Sequence, residues 1–200
     1  DWDIPVPREL PSKTADMAVH SAELLGYPVV LKIDSADILH KTEAGAVRVG
    51  LRNSDEVRAA FDEITTNAHN YAPNAAIEGV LVQEMVPGGV EMIAGVKHDA
   101  LLGPMLLFGT GGVMVEVYED VALRRCPVSK AEALGMIAEV KGAKLLRGFR
   151  GKPPADVDAL AEALTRISQL AVHLRDELVE LDVNPLVVLP KDGGVVALDA

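Results

Sequence analysis

The spacing of apolar residues predicts one short helix and two strands at the beginning of the chain. Ala15–Leu25 has helical periodicity, and Gly26-Tyr27-Pro28 is a sequence that stops a helix. Val29–Ile33 is almost wholly apolar and predicts a buried strand. Ala46–Leu51 alternates apolar with charged residues, which is typical of a strand with one solvated face. A polar loop, residues 34–44, joins these two strands.

A longer amphipathic helix and two further strands follow. Ser54 is a suitable N-cap, and the acidic residues after it favour a helix that continues to about Asn70. Gly79–Val86 predicts a strand that ends at the turn sequence Pro87-Gly88-Gly89. We expect Val90–Lys97 to return from this turn as the antiparallel partner of that strand.

The second half of the chain continues the mixture of strands and helices. It predicts strands at 104–108, 113–117, 121–126, 179–182, 185–189 and 195–199, and helices at 129–140 and 156–174. Asn184-Pro185 and Lys191–Gly194 are expected to separate the last three strands. Because strands and helices do not alternate regularly, the sequence predicts an α+β fold. Ile77–Pro87 is the best candidate for a hinge between two lobes, which we place at residues 1–84 and 85–200.

The composition is that of a globular protein and excludes several classes of function. Hydrophobic residues make up 49% of the chain, but no apolar run approaches the ~20 residues of a membrane span. The net charge of −11, from 19 Lys and Arg against 30 Asp and Glu, argues against nonspecific binding to nucleic acid or to an anionic membrane. The single Cys126 excludes an internal disulfide and fits a reducing cytoplasm. An anionic ligand would need a local basic pocket or a bound cation.

Two features near the N-terminus could supply local positive charge. Lys32 interrupts the apolar strand, and a lysine there must either meet an anion or extend its stem to solvent. The loop His40–Gly45 combines imidazole, ammonium, hydroxyl and glycine, which could wrap a phosphate or form an ordinary surface loop. It lacks the spacing of a P-loop. His40 is of interest because imidazole titrates near neutrality and can attack phosphorus.

Three further segments carry candidate chemistry, and each has an ordinary structural alternative. The glycine-rich Gly109–Gly112 permits close approach to a ligand, or forms a tight β-turn. A C-terminal group of oxygen donors suits Mg²⁺, or forms plain turns: Glu180, Asp182, Asn184 and Asp199. A stretch free of acids could contact a partner or an anionic substrate, or be a solvated loop; its basic residues are Lys141, Lys144, Arg147, Arg150 and Lys152.

The order of these segments resembles the ATP-grasp part of ADP-forming acyl-CoA synthetases and of their succinyl-CoA synthetase β-subunit relatives. The resemblance is carried by Lys32, His40–Gly45, Val82–Gly88, Phe108–Gly112 and Glu180–Leu186, and it extends over nearly the whole chain. It implies the ATP-grasp fold, in which two lobes hold a nucleotide in the cleft between them. It also implies ATP or ADP and Mg²⁺ as cofactors.

The resemblance assigns roles to individual residues. Those expected to contact the nucleotide are Lys32, Lys41, Gly45, Gln83, Glu84, Val86 and Glu91. Among them, Lys32 would meet the phosphates, Glu84 and Val86 would bind adenine through the backbone, and Glu91 lies where such folds often hold the ribose. The residues expected to bind Mg²⁺ are Asn184 and Asp199. The residues expected to be catalytic are His40 and Asp182, of which Asp182 would support the metal site or the histidine.

In the family that this chain resembles, a phosphoryl group released from an acyl phosphate moves through a histidine on the CoA-ligase part. The resemblance implies that His40 takes it next and passes it to ADP. The chain contains neither the CoA-binding fold nor that first histidine segment, so acyl-CoA formation requires another part that binds the acid and CoA. We expect this part on an α subunit or in a longer polypeptide, and the absence of an initiator Met favours the second.

The chain departs from the family pattern at two positions. Ala46 stands where a second glycine usually follows Gly45, and Cys126 stands where alanine is usual.

Two other functions stay open. One alternative is a regulatory or degenerate ATP-grasp domain fused to an acyltransferase. The other is an ATP-grasp carboxylate–amine ligase, which uses an acyl phosphate but needs no imidazole at position 40. His40 therefore distinguishes the acid–CoA ligase from this second alternative.

Overall fold

A computed structural model describes residues 2–111, 120–148, 151 and 153–199. The predicted strand Val113–Val117 and the residues Gly112, Arg150 and Lys152 lie outside this part. The strands are β1 Glu9–Ser12, β2 Val29–Asp34, β3 Val47–Leu51, β4 Gly79–Glu84, β5 Val90–Asp99, β6 Gly103–Thr110, β7 Val121–Arg125, β8 Glu180–Val188 and β9 Val195–Ala197. The helices are α1 Ala15–Leu25, α2 Ser54–Tyr71, α3 Lys130–Glu139 and α4 Val157–His173, with a 3-10 helix at Lys141–Arg147.

Two compact units make up the chain: Pro7–Pro87 forms one, and Asp1–Val6 with Gly88–Ala200 forms the other. The first contains a four-stranded antiparallel sheet in the order β1-β4-β2-β3. The second contains a five-stranded antiparallel sheet in the order β7-β6-β5-β8-β9. These helices and antiparallel sheets confirm the predicted α+β class. The division into functional lobes at residues 84 and 85 stays a prediction.

Helices α1 and α2 cover one face of the sheet in the first unit. Val29, Leu31 and Ile33 alternate along β2, and all three are completely buried in a core shared with both helices. Val80 and Val82 of β4 belong to the same core. Because successive strand residues point to opposite faces, the residues between them lie on the face away from the helices.

Helices α3 and α4 cover one face of the sheet in the second unit, together with the 3-10 helix. Core residues alternate along β5 and β6 and pack against the apolar side of α4. The large, fully buried side chains of this core include Met92, Leu106, Phe108, Leu160, Leu164 and Ile167. Glu91, Ile93 and Gly95 of β5 are out of phase with this core and so lie on the other face. No described helix of the chain is long and apolar enough to cross a membrane.

Two predictions about the strands are wrong. β5 does not pair with β4 but with β6 and β8, because the turn sequence Pro87–Gly89 carries the chain from the first sheet into the second. Asn184-Pro185 does not separate two strands, since β8 runs from Glu180 to Val188. Asn184 and Pro185 together oppose Ile93, and this irregularity accommodates a proline that has no N–H to donate.

Local sequence signals also misplace or miss three smaller features. β1 pairs with β4 across a long sequence separation, which a local pattern does not reveal. Asn53, not Ser54, caps α2, because its side chain accepts from the N–H of Glu56 at 2.9 Å. The strand predicted at Gly79–Val86 ends earlier, at Glu84.

The basic segment is not a loop over residues 141–147 but a 3-10 helix. Ala143 and Leu146 are buried in the core of the second unit, which fixes the segment against the sheet. Lys141, Lys144 and Arg147 are exposed between these apolar residues. The structure therefore confirms the solvated basic side chains but places them on an ordered element.

Candidate functional site

The face of the first sheet away from its helices carries buried polar side chains. Lys32 and Gln83 are 7% and 4% exposed. They share this face because Gln83 is opposite Val30, and Val30 and Lys32 are two residues apart on β2. Glu9 is opposite Gln83, and its carboxylate accepts from Gln83 Nε2 at 3.1 Å. The burial of Lys32 disfavours the alternative in which it simply extends into solvent.

Glu84, at the end of β4, is held firmly by Arg8. Its carboxylate accepts from the backbone N–H of Arg8 at 2.9 Å and from Arg8 Nε at 2.7 Å. Its own N–H donates to the carbonyl of Arg8 at 3.0 Å. A role for Glu84 in binding a base would therefore fall to its carbonyl oxygen. Val86 lies two residues beyond the strand and is half-buried.

The Arg8 contacts predict a pH-dependent contribution of Glu84 to stability. The backbone N–H of Arg8 lowers the pKa of the Glu84 carboxyl against partial burial, and the Arg8 guanidinium lowers it further. A lowered folded pKa gives stability that is present above the unfolded pKa of about 4.3. That stability is lost as the pH falls through the folded pKa.

We expect Glu84→Gln to lower the free energy of unfolding near pH 7 by roughly 1 kcal/mol, since the pair is partly exposed. The difference from the wild type should shrink as the pH falls below the folded pKa of Glu84. Urea unfolding at neutral and acidic pH measures both values. Glu78→Gln, at an exposed position just before β4, is the matched control. A destabilisation that is the same at both pH values would contradict the assigned role of the carboxylate.

His40 lies in a turn whose backbone is closed by three hydrogen bonds. The carbonyls of His40, Lys41 and Thr42 accept from the N–H groups of Ala44 at 3.1 Å, Ala46 at 2.9 Å and Gly45 at 3.0 Å. The His40 residue is exposed and Lys41 is half-buried. The turn thus presents an imidazole to solvent on an ordered backbone, which is the arrangement that a nucleophile needs.

The turn leads directly into the strand beside Lys32. The carbonyl of Ala46 accepts from the N–H of Ile33 at 3.0 Å, and Val47 is opposite Lys32 in the sheet. Gly45 has a φ of +62°, a conformation that favours glycine. Ala46 is not among the described residues with positive φ, and its methyl group is completely buried. Alanine in place of a second glycine is therefore compatible with this turn.

The glycine-rich segment is not a tight turn where it is described, because Gly109 and Thr110 belong to β6. A Cβ on Gly109 would lie 2.8 Å from Val121 Cγ1, and one on Gly111 would lie 2.9 Å from the backbone of Glu91. The N–H of Gly111 donates to the carbonyl of Glu91 at 3.0 Å. Glycine is therefore required at both positions because a side chain there would clash with neighbouring residues of the same chain. Glu91 itself is exposed on β5.

Asp120 is a polar anchor that sequence patterns do not single out. Its carboxylate accepts from the N–H groups of Lys141 at 2.8 Å and Gly142 at 2.7 Å, and from Thr110 Oγ1 at 3.0 Å. Burial raises its pKa, but these three donors outweigh burial and leave the pKa of Asp120 below its ordinary value. Asp120 therefore links the end of β6 to the start of the basic 3-10 helix.

The two residues expected to bind a metal lie side by side. The N–H of Asn184 donates to the carbonyl of Asp199 at 3.1 Å. Next to this bond, the N–H of Leu198 donates to the carbonyl of Pro185 at 3.0 Å. Asp182 is exposed two residues before Asn184, opposite Gly95 on the face of the sheet away from α3 and α4. The described residues contain no group of three or more His, Cys, Asp or Glu side chains that could hold a metal. Two oxygen donors suit Mg²⁺, which usually completes its shell with phosphate and water.

Each compact unit brings together part of the predicted set. The first unit joins Lys32, Gln83 and Glu84 on neighbouring strands, with His40–Gly45 in the adjacent turn. The second unit groups its candidates on β5, β8 and the segment after β9: Glu91, Asp182, Asn184 and Asp199. In both units these candidates lie on strands or turns outside the helix-covered core. The individual roles of these residues stay predictions.

The chain is similar to known proteins of one family in both sequence and structure. A family model described as an ATP-grasp domain matches residues 1–200. The β subunit of ADP-forming acetate–CoA ligase II of Pyrococcus furiosus is 40% identical over 199 residues, which are 100% of this chain and 84% of that subunit. ADP-forming acetate–CoA ligase I of Archaeoglobus fulgidus is 46% identical over 185 residues, which are 92% of this chain and 27% of that protein.

A solved structure has the same fold. It is the dinucleotide forming acetyl-coenzyme A synthetase 1 of Ca. Korarchaeum cryptofilum in complex with coenzyme A, Ca-AMPCP and HgCl⁺. The two chains superpose with a TM-score of 0.94 at 44% identity, over 99% of this chain and 85% of the other.

The chain belongs to the ATP-grasp domain family. Within that family it matches β subunits of ADP-forming acetate–CoA ligases, as the sequence predicts. The chain spans only 27% of the length of the Archaeoglobus fulgidus ligase and 28% of the ADP-forming 4-hydroxybutyrate–CoA ligase of Nitrosopumilus maritimus, to which it is 44% identical.

Proposed function

We propose that this chain is the nucleotide-handling part of an ADP-forming acyl-CoA synthetase. In this proposal His40 carries a phosphoryl group between a CoA-ligase part and ADP. The observation that supports it most directly is the exposed imidazole of His40 on a closed turn, next to the strand that holds the buried Lys32. The family match, and relatives named as ADP-forming acetate–CoA ligases, supply the reaction class.

Both steps at His40 are in-line displacements at phosphorus. The lone pair of one ring nitrogen forms an N–P bond as the N–P bond to a donor phosphohistidine breaks. A terminal oxygen of ADP then forms an O–P bond as the N–P bond to His40 breaks. The other ring nitrogen keeps its proton, so His40 leaves as neutral imidazole and ATP is the product.

Separate residues would bind the phosphates, the adenine and the ribose of the nucleotide. The Lys32 ammonium would neutralise phosphate charge, and Lys41 with the Gly45 backbone would contact the same phosphates. The segment Gln83–Val86, at the end of β4, would bind adenine through the carbonyl of Glu84 and the N–H of Val86, with Gln83 beside them. Glu91 would hold the ribose. The engagement of the Glu84 N–H and carboxylate by Arg8 supports the use of its carbonyl.

Asn184 and Asp199 would hold Mg²⁺, and Asp182 would support that site. Their neighbouring backbones and oxygen donors fit a metal that shares its coordination with phosphate. Bound there, Mg²⁺ would neutralise charge on the transferred phosphoryl group.

The proposal requires a CoA-binding and CoA-ligase part, on an α subunit or in a longer chain, that handles the acid and CoA. The lengths of two curated relatives, of which the chain spans 27% and 28%, support such a part. The Pyrococcus furiosus relative is named as a β subunit, which supports a separate partner subunit. We place the reaction in the cytoplasm, a reducing compartment with which the free, buried Cys126 is compatible.

Calorimetric titration of the complete protein with ADP and ATP, with and without Mg²⁺, tests the nucleotide site. We expect Mg²⁺-dependent binding by the wild type, and at least a tenfold loss of that affinity, about 1.4 kcal/mol, in the double variant Asn184→Ala with Asp199→Ala. Affinity without Mg²⁺ should not change. The matched control is Asn70→Ala with Asp62→Ala, both at exposed positions of α2.

An unchanged Mg²⁺ dependence in the Asn184 and Asp199 double variant would contradict the metal assignment. Absence of any nucleotide binding by folded wild-type protein would favour a degenerate regulatory domain. A carboxylate–amine ligase would bind nucleotide with Mg²⁺ but would not place a phosphoryl group on His40, so detection of phosphohistidine separates it from the proposed function.

A further inference from the structure

The turn that carries His40 is anchored to the rest of the first unit at both of its ends. On the N-terminal side, Asp37 accepts from the N–H of Ala76 at 2.7 Å, and Ser35 donates to the Ala76 carbonyl at 2.7 Å. On the C-terminal side, the Gly45 carbonyl accepts from Asn67 Nδ2 at 2.9 Å. Asn67 lies on α2, so this second contact ties the turn to a helix that is itself part of the core.

Arg48 makes a second contact with the same carbonyl. Its Nη1 donates to the Gly45 oxygen at 3.3 Å and to the Val47 oxygen at 2.7 Å. Its guanidinium is held in turn by the carboxylate of Glu63, one helical turn before Asn67 on α2, with Nε to Oε2 at 2.8 Å. Two side chains anchored on the same helix therefore converge on one peptide group.

Gly45 is close to His40 through the hydrogen bonds of the turn. Its N–H donates to the Thr42 carbonyl, and the N–H of its neighbour Ala44 donates to the His40 carbonyl at 3.1 Å. Gly45 is also packed against the side chain of Asn67, because a Cβ at Gly45 would lie 3.2 Å from Asn67 Nδ2. The Gly45 carbonyl shares its peptide group with the N–H of Ala46, which donates to the carbonyl of Lys41 at 2.9 Å. A displacement of this peptide group would thus reach the residue next to His40 through one hydrogen bond.

We propose that Asn67 is a positioning residue for His40, acting through the carbonyl of Gly45. Asn67 touches neither nucleotide nor phosphoryl group in this proposal, which rests on the proposed function of His40. It keeps the imidazole in line with the phosphorus atom. In-line transfer is sensitive to such placement, since a displacement of about 1 Å can cost on the order of 100-fold in rate.

The test is the isosteric variant Asn67→Asp, which keeps the shape of the side chain but removes the N–H donor. The complete protein is incubated with Mg²⁺ and γ-labelled ATP, and the rate of acid-labile, base-stable labelling of His40 is measured. We expect labelling to slow at least tenfold, and by a larger factor than the affinity for ATP falls, because the Gly45 backbone is also proposed to contact the phosphates. Asn70→Asp, which makes the same charge change at an exposed position of α2, should behave as the wild type.

Hydrogen exchange of the turn amides provides a second readout that does not depend on phosphorylation. In Asn67→Asp we expect faster exchange at Ala44 and Gly45, confined to the turn. If Asn67→Asp is labelled on His40 at the wild-type rate, the positioning role is overturned but the phosphoryl-transfer function is not. Unchanged hydrogen exchange at Ala44 and Gly45 in the variant would have the same meaning. Absence of labelling in the wild type, with normal ATP binding, would overturn the phosphoryl-transfer function and with it any role of Asn67 in catalysis.

Discussion

We expect His40→Asn to reduce phosphoryl transfer at least 1,000-fold, on the order of the losses seen when a nucleophile is removed, and to leave nucleotide binding intact. Asparagine keeps a polar side chain at an exposed position but offers no ring nitrogen to attack phosphorus. The three backbone hydrogen bonds that close the turn do not use the imidazole, so the fold should be retained. ATP formation from acyl-CoA, ADP and phosphate by the complete enzyme measures the rate, and calorimetry measures ADP affinity.

His69→Asn is the control for this experiment, because His69 is also exposed and lies in the last turn of α2 in the same unit. It should retain both activity and binding. Retention of ATP formation by His40→Asn would exclude an essential phosphohistidine at this position. A loss of ADP affinity equal to the loss of rate would instead assign His40 to nucleotide binding.

The local secondary structure was largely predictable because its signals are short in range. Ala15–Leu25 is a helix with the predicted bounds, and Val29–Asp34 differs from its prediction by one residue. Helical periodicity, a stop sequence and a buried apolar run suffice for such elements. Strand pairing was not predictable in the same way. β5 follows β4 after a turn sequence typical of hairpins, but their partners are other strands.

The chemistry of the candidate site followed from residue types, but its supporting contacts did not. Lys32 stands out in the sequence because it interrupts an apolar strand, and His40 because an imidazole can attack phosphorus. Arg8, Asn67 and Asp120 act through partners that are 76, 22 and up to 22 residues away in the chain. No pattern within a window of the sequence contains both partners. These supporting contacts therefore emerge only from the fold.

Burial also separates interpretations that the sequence leaves equal. A lysine in an apolar strand can extend to solvent or face an anion, and the 7% exposure of Lys32 favours the second. For the glycine-rich segment the result is the opposite. Gly109 and Gly111 have close approaches to Val121 and to the Glu91 backbone, so their conformational freedom serves packing within the chain. The same residue types thus acquire different roles once their neighbours are known.

Lys32→Met is expected to weaken binding of Mg²⁺-ATP by roughly 1.5–3 kcal/mol, the value of one hydrogen bond to a charged group. This corresponds to a loss of about 10- to 150-fold in affinity. Methionine has a similar length and fits a buried position, so the variant removes charge with little change in volume. Lys97→Met, at an exposed strand position of β5, is the control and should bind as the wild type.

Thermal unfolding without nucleotide should be measured beside the titration, because Lys32 already has an interaction partner within the protein. A lower melting temperature would report the loss of that partner, and a lower affinity at a temperature where the variant is folded would report the loss of the phosphate contact. Reduced stability with unchanged ATP affinity would show that Lys32 serves the fold alone. Reduced affinity for ATP and a smaller effect on adenosine would locate its contact at the phosphates, since adenosine has none.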